Sequence, residues 1–213
     1  DPWTTGVIIA PGAANVTIRD LIIRNFENGI LINSDGGCVD LEGITIDSNM
    51  GSCDTGLTLV ETYQLDVDMS GTVISNCETG INVAAGSSNN VIRYGEVSNN
   101  SGDGIRVEGS QEVPDENRFE SIHVLNNGLN GIIVYDGFGH QVTDCVIRNN
   151  NAGETAYGGV AMLEGTATVN WNVIENNGCH GVYAAEILST APVDATFNWW
   201  GAADGPSGEG PGD

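Results

Sequence analysis

A tripeptide of the form I-x-N/S returns along this chain at regular distances, and that regularity limits the fold more than any other feature. It stands at Ile23-Arg24-Asn25, Ile46-Asp47-Ser48, Ile74-Ser75-Asn76, Val97-Ser98-Asn99, Val124-Leu125-Asn126, Ile147-Arg148-Asn149 and Ile174-Glu175-Asn176. Successive third positions lie 23, 28, 23, 27, 23 and 27 residues apart. Seven residues earlier runs a column of large apolar side chains: Ile18, Leu41, Met69, Ile92, Phe119, Val142 and Val169, extended by Phe197 into an eighth unit. A looser column lies four before the Asn, at Leu21, Ile44, Thr72, Gly95, Ile122, Cys145 and Asn172.

After each Asn come a turn, a glycine and a short strand, as in Gly29-Ile30-Leu31-Ile32, Gly80-Ile81-Asn82-Val83 and Gly131-Ile132-Ile133-Val134. Apolar and variable residues alternate there, the mark of a strand with one buried face. Such a unit cannot bury its apolar face alone, so units must stack. Parallel strands in adjacent coils lie about 4.8 Å apart, and identical positions then form ladders. Asparagine suits the corner because it tolerates left-handed backbone and its amide can bond the same amide above and below. A second asparagine column follows at Asn100, Asn127, Asn150 and Asn177. The expected fold is all-β: a right-handed parallel β-helix, or solenoid, of about eight coils of 23–28 residues. It forms a single domain over residues 1–213 with a Gly/Pro-rich tail at 201–213. Longer connections break the pattern at about 49–55, 108–117 and 150–158, the places where a solenoid builds a binding surface.

Among the five cysteines, Cys53 and Cys77 follow the same corner in adjacent coils and can form a disulfide. Cys145 falls in an inward column as a buried thiol, while Cys38 and Cys179 have no evident partner. The net charge is −23, and the six basic residues are all arginine. Nucleic acid and anionic membrane surfaces are disfavoured as partners, because both need a cationic surface. No apolar run approaches the length of about 20 residues that a membrane helix requires. The carboxylate excess reads as solubility or as oxygen ligands for Ca²⁺.

The repeat resembles the parallel β-helix repeat proteins, a group that includes pectate lyases, polygalacturonases, alginate epimerases, phage tailspikes and NosD-like repeats. The segment Asn198-Trp199-Trp200-Gly201-Ala202-Ala203-Asp204-Gly205-Pro206 resembles the NWWG…GP element near the end of many secreted and cell-surface members. The resemblance implies an extracellular or cell-surface location; it does not imply an activity. Polygalacturonases of the group share N-T-D, D-D, G-H-G and R-I-K motifs. Here only Asn33-Ser34-Asp35 and His180-Gly181 are partial echoes. Asp136-Gly137-Phe138-Gly139-His140 lacks the D-P-H element of the epimerases. The arginine or lysine base of pectate lyases, set beside carboxylate-bound Ca²⁺, has no surrounding motif in this chain.

Stacking suggests three constellations. Asp136, Glu164 and Glu186 lie five residues after the strand glycine in consecutive coils, with Glu61 at the same position lower down. They read as a Ca²⁺ or cationic-sugar site or as a solvated acidic edge. Glu96 and His123 share a position in neighbouring coils, with Arg93 and Arg118 nearby, and read as a proton-transfer pair or as a cross-strand contact. Tyr94, Trp171 and Trp199 fall at one position, and Tyr135 and Tyr183 project from the other strand. These aromatics read as a sugar-stacking strip or, for the tryptophans, as a cover for the C-terminal end of the core. Arg24 over Asp47 and Arg148 below Glu175 read as ladder ion pairs.

The expected function is therefore a non-catalytic structural or binding module whose partner is a polysaccharide or copies of itself. The alternative is a lyase, epimerase or hydrolase acting on an acidic polysaccharide. The coil series reads as part of a longer chain, with head-to-tail stacking of copies as the other reading.

Overall fold

The computed structural model describes residues 4–48, 53–109, 115–151, 153, 157–185 and 193–201. The C-terminal tail from residue 202, Glu186 and parts of all three long connections lie outside them.

The chain winds through three parallel sheets. Sheet A has eight strands: Thr5–Ile9, Asn28–Ile32, Thr55–Leu59, Thr79–Val83, Ile105–Val107, Ile132–Val134, Gly158–Met162 and His180–Ala184. Sheets B and C have seven each, beginning at Val16–Arg19 and Ile22–Ile23 and ending at Ala167–Asn170 and Val173–Glu175. Each strand pairs in parallel with the equivalent strand one coil away. Seven coils are complete. The expected eighth is partial: after His180–Ala184, the Val169 amide donates to the Asp194 carbonyl, and Trp199 bridges to Val173.

The core is a set of apolar columns parallel to the axis. Ile30, Leu57, Ile81, Ile105, Ile132 and Val160 form one in sheet A, all buried. The glycine before each of these residues is fixed by packing. A Cβ at Gly104 would sit 2.6 Å from the Gly131 carbonyl oxygen and 2.7 Å from Val124 Cγ1. The sheet C core residues press on the turn there, so only a residue without a side chain fits.

The apolar column read seven residues before the Asn is in fact two columns. Val16, Val39, Val67, Ile92, Phe119, Val142 and Val169 pair in register, whereas Ile18 pairs with Leu41 in a separate column that Met69 follows. In the first three coils the chain takes seven residues from the sheet B core position to that of sheet C, as from Val67 to Ile74; in the later coils it takes five, as from Ile92 to Val97. Gly95 is where the corner tightens. A Cβ on it would lie 2.9 Å from Met69 Cβ, so the shorter corner closes directly over the last residue of the longer one.

The two asparagine columns also divide the work assigned to them. Asn25, Asn76, Asn99, Asn126, Asn149 and Asn176 hold left-handed backbone, with φ between 54° and 61°. The continuous amide ladder is the second column: Asn100, Asn127 and Asn150 each donate through Nδ2 to Oδ1 of the next asparagine at 2.9 Å, while the first column keeps one such rung, Asn149 Nδ2 to Asn126 Oδ1 at 3.3 Å. Oδ1 of Asn127 also accepts from the Asn100 amide, so each rung satisfies a buried backbone donor. Further buried ladders run from Asn90 to Asn117 and from Asn172 to Asn198.

Cys53 and Cys77 are joined by a disulfide across adjacent coils. Cys145 is a buried thiol, its pKa pushed up to about 12 by burial.

Candidate functional site

On a solenoid strand, residues alternate between the core and the outside. The outward row of sheet A runs Ile8, Leu31, Thr58, Asn82, Arg106, Ile133, Ala161 and Tyr183, every neighbour paired in register. This row is unusual in two ways. Ile133 and Ala161 point away from the core yet are only 2% and 0% exposed. In addition, Thr58 Oγ1, Asn82 Oδ1 and Arg106 Nε, on three consecutive coils, are buried polar atoms with no hydrogen-bond partner among the described residues. Native proteins leave few such groups, and each calls for an explanation.

Aromatic residues flank the row. Arg106 is held by the buried Asp103, 3.0 Å from Nη2 to Oδ2, and its guanidinium lies 5.4 Å from the centre of the Tyr135 ring. Burial, and then the Asp103 charge, raise the Tyr135 pKa, so the phenol stays protonated. Tyr157, at the end of the 150–158 connection, stacks on Tyr183 with ring centres 4.3 Å apart, and His180 lies 5.4 Å from the same ring. Tyr135 and Tyr183, expected from the sequence, therefore do flank one face. Asp103, Arg106 and Tyr157 join them. The strand alternation places Arg106 outward, but only side-chain packing shows that Tyr157 folds back onto the sheet.

The other constellations are less closely knit. Glu96 and His123 are register neighbours in sheet C. However, the Glu96 carboxylate accepts the Ser98 hydroxyl at 2.6 Å, His123 is exposed, and no hydrogen bond joins the pair among the described residues. Arg93 belongs to sheet B and is bound by Asp66 at 2.9 Å and Asp68 at 3.6 Å. Asp66 is raised in pKa by burial, with Arg93 opposing. Asp136 and Glu164 lie on adjacent coils, with Asp136 Oδ1 accepting the Gly137 amide and Glu164 exposed. Glu186 is outside the described residues, and no group of three metal-binding side chains occurs among those described.

All six arginines are in ion pairs: Arg19 with Glu42, Arg24 with Asp47, Arg93 with Asp66 and Asp68, Arg106 with Asp103, Arg118 with Glu120, and Arg148 with Glu175. The two ladder pairs read from the sequence, Arg24–Asp47 and Arg148–Glu175, are among them.

The aromatic strip needs correction. Trp171 does not stack with Trp199. The residue at its position one coil on is Phe197, 4.6 Å away between ring centres and 9° from parallel. Phe197 is thus an exposed corner residue rather than a member of the core column. Trp199 lies two residues further, beside Val173. Trp200 is the tryptophan that packs against the core, over Gly181.

No curated protein and no solved structure gives a significant match to the chain. The family described as right handed beta helix region matches residues 5–162, most of the coil series, and this chain belongs to that family.

Proposed function

We propose that this chain is a non-catalytic solenoid module that binds an uncharged glycan along the outward face of sheet A, at a cell surface or outside the cell. The observation that carries this reading is the pairing of Asn82 and Arg106, both partly exposed, on adjacent coils of the outward row, beside the Tyr135 ring and the stacked Tyr157 and Tyr183. An amide and a guanidinium thus stand one coil spacing of about 4.8 Å apart on this face. Sugar hydroxyls both donate and accept, and their CH faces pack on aromatic rings. The charge argues against a polyuronate: the net charge is −23, and each arginine is already neutralised by a carboxylate. The Cys53–Cys77 disulfide supports an oxidising compartment.

Affinity electrophoresis through gels containing an uncharged β-linked glucan tests the reading. Wild-type protein should be retarded, and Asn82→Ala combined with Tyr135→Ala should lose at least tenfold in affinity. Equal retardation of both proteins would count against this face.

A further inference from the structure

The corner between sheets B and C turns through a left-handed residue in each coil. Coil by coil these residues are Asp20, Gly43, Gly71, Tyr94, Ser121, Asp144, Trp171 and Phe197, with φ between 51° and 69°, and Gly95 follows Tyr94 at 72°. Gly, Asp and Ser are the inexpensive choices for such backbone, whereas a bulky ring there is strained. Trp171, at φ 62°, and Phe197, at φ 60°, nevertheless occupy it in consecutive coils. Neither gains burial in return: they are 62% and 68% exposed, and the neighbouring Trp199 is 48% exposed. Strain kept at exposed residues points towards a role other than stability.

The cluster is small. Aromatic side chains carry roughly 200 Å² each, so three rings half to two-thirds exposed present on the order of 350 Å². A stable protein interface needs about 800 Å² per partner. One or two sugar rings fit the smaller area. Among the described residues the surroundings supply acceptors and no free cation. Asp144 occupies the same corner one coil below Trp171. Asp194 lies beside the pair and is held ionised by the Thr196 hydroxyl and amide and by Asn170. A hydroxyl-rich ring without negative charge suits such a site; a uronate does not.

We infer that the Trp171–Phe197 corner, with Trp199, is a second saccharide site that takes a neutral or amino-substituted pyranose ring, separate from the sheet A face. It shares the ligand class of the function proposed above but none of its residues.

The test titrates the intact protein with a neutral β-linked gluco-oligosaccharide, a chitosan oligosaccharide and a galacturonate oligosaccharide, following tryptophan fluorescence and heat. Trp171→Gly and Phe197→Gly are the informative variants, because glycine is at ease at this φ and a melting curve near that of wild type shows the coil intact. A double-glycine variant should abolish the fluorescence change and remove one of the two sites from the heat titration with the neutral or the amino sugar, while Asn82→Ala keeps the fluorescence change. Stronger binding of chitosan would assign the amino-sugar source, and stronger binding of the glucan the neutral one. If wild type binds but the double-glycine variant binds equally well, the corner site is refuted and the sheet A reading stands. If wild type binds no saccharide, or only galacturonate, both fail. Should the double variant unfold, a protein carrying Trp3→Phe, Trp199→Phe and Trp200→Phe, whose one tryptophan is Trp171, decides: a sugar-dependent fluorescence change places a sugar at Trp171, and no change counts against the corner.

Discussion

At the scale of single residues, the most consequential group is His140. It is fully buried, and its Nδ1 accepts the Asn117 amide at 3.3 Å at the end of the Asn90–Asn117 ladder. With Nδ1 accepting, Nε2 carries the proton of the neutral ring, and the Asp136 and Asn117 backbone favours the charged ring less than burial opposes it. Burial lowers the pKa to about 4 from an ordinary 6.5. Between those values the unfolded chain binds a proton that the folded chain refuses. Stability therefore falls as pH drops from about 6.5 towards 4, by up to about 3 kcal/mol from this group. His140→Asn keeps an acceptor for Asn117, so denaturant unfolding of that variant should lose most of the pH dependence between 6.5 and 4.5. An unchanged pH slope would show that other groups set it.

At the scale of the repeated element, corner glycine and ladder asparagine should fail differently. Gly104→Ala pushes a methyl group against the Gly131 carbonyl and Val124, and should cost about 1–3 kcal/mol through overpacking. Asn127→Ala removes the acceptor for the Asn100 amide and side chain and the donor to Val97 and Asn150, leaving several buried groups unpaired. At about 1–3 kcal/mol per buried group it should be the more damaging substitution in urea denaturation. Much of this element was legible in the sequence, because ladder positions repeat residue by residue: the I-x-N corner and the strand glycine follow from the period, and the period allowed the Cys53–Cys77 pairing without requiring it. The change from seven to five residues at the sheet B to C corner was not legible. Ile18, Leu41 and Met69 are as apolar as the residues of the true register column, so spacing from the Asn cannot tell the two apart. Phe197 was misplaced for the same reason: an apolar residue at the expected distance looks like core whether it points inward or sits exposed at a left-handed corner.

At the scale of the whole molecule, the solenoid arrays residues of successive coils in straight rows, and function is read along rows rather than along the chain. Tyr135 and Tyr183 could be placed on the sheet A face from strand alternation alone. The unpartnered atoms of Thr58, Asn82 and Arg106 could not, because whether a polar atom finds a partner depends on side-chain packing that no period encodes. Glu96 accepts the Ser98 hydroxyl, Arg93 pairs with Asp66 and Asp68, and all six arginines are in ion pairs; the proposal of an uncharged ligand rests on this pairing. The most direct measurement is a side-by-side incubation of the intact protein with an uncharged glucan and with polygalacturonate, scoring binding by calorimetry and cleavage by absorbance at about 235 nm, where unsaturated uronates form a chromophore. The account predicts saturable binding of the glucan, weakened at least tenfold by Asn82→Ala with Tyr135→Ala, and no absorbance change with polygalacturonate. Rising absorbance with polygalacturonate, or no glucan binding at all, would contradict it.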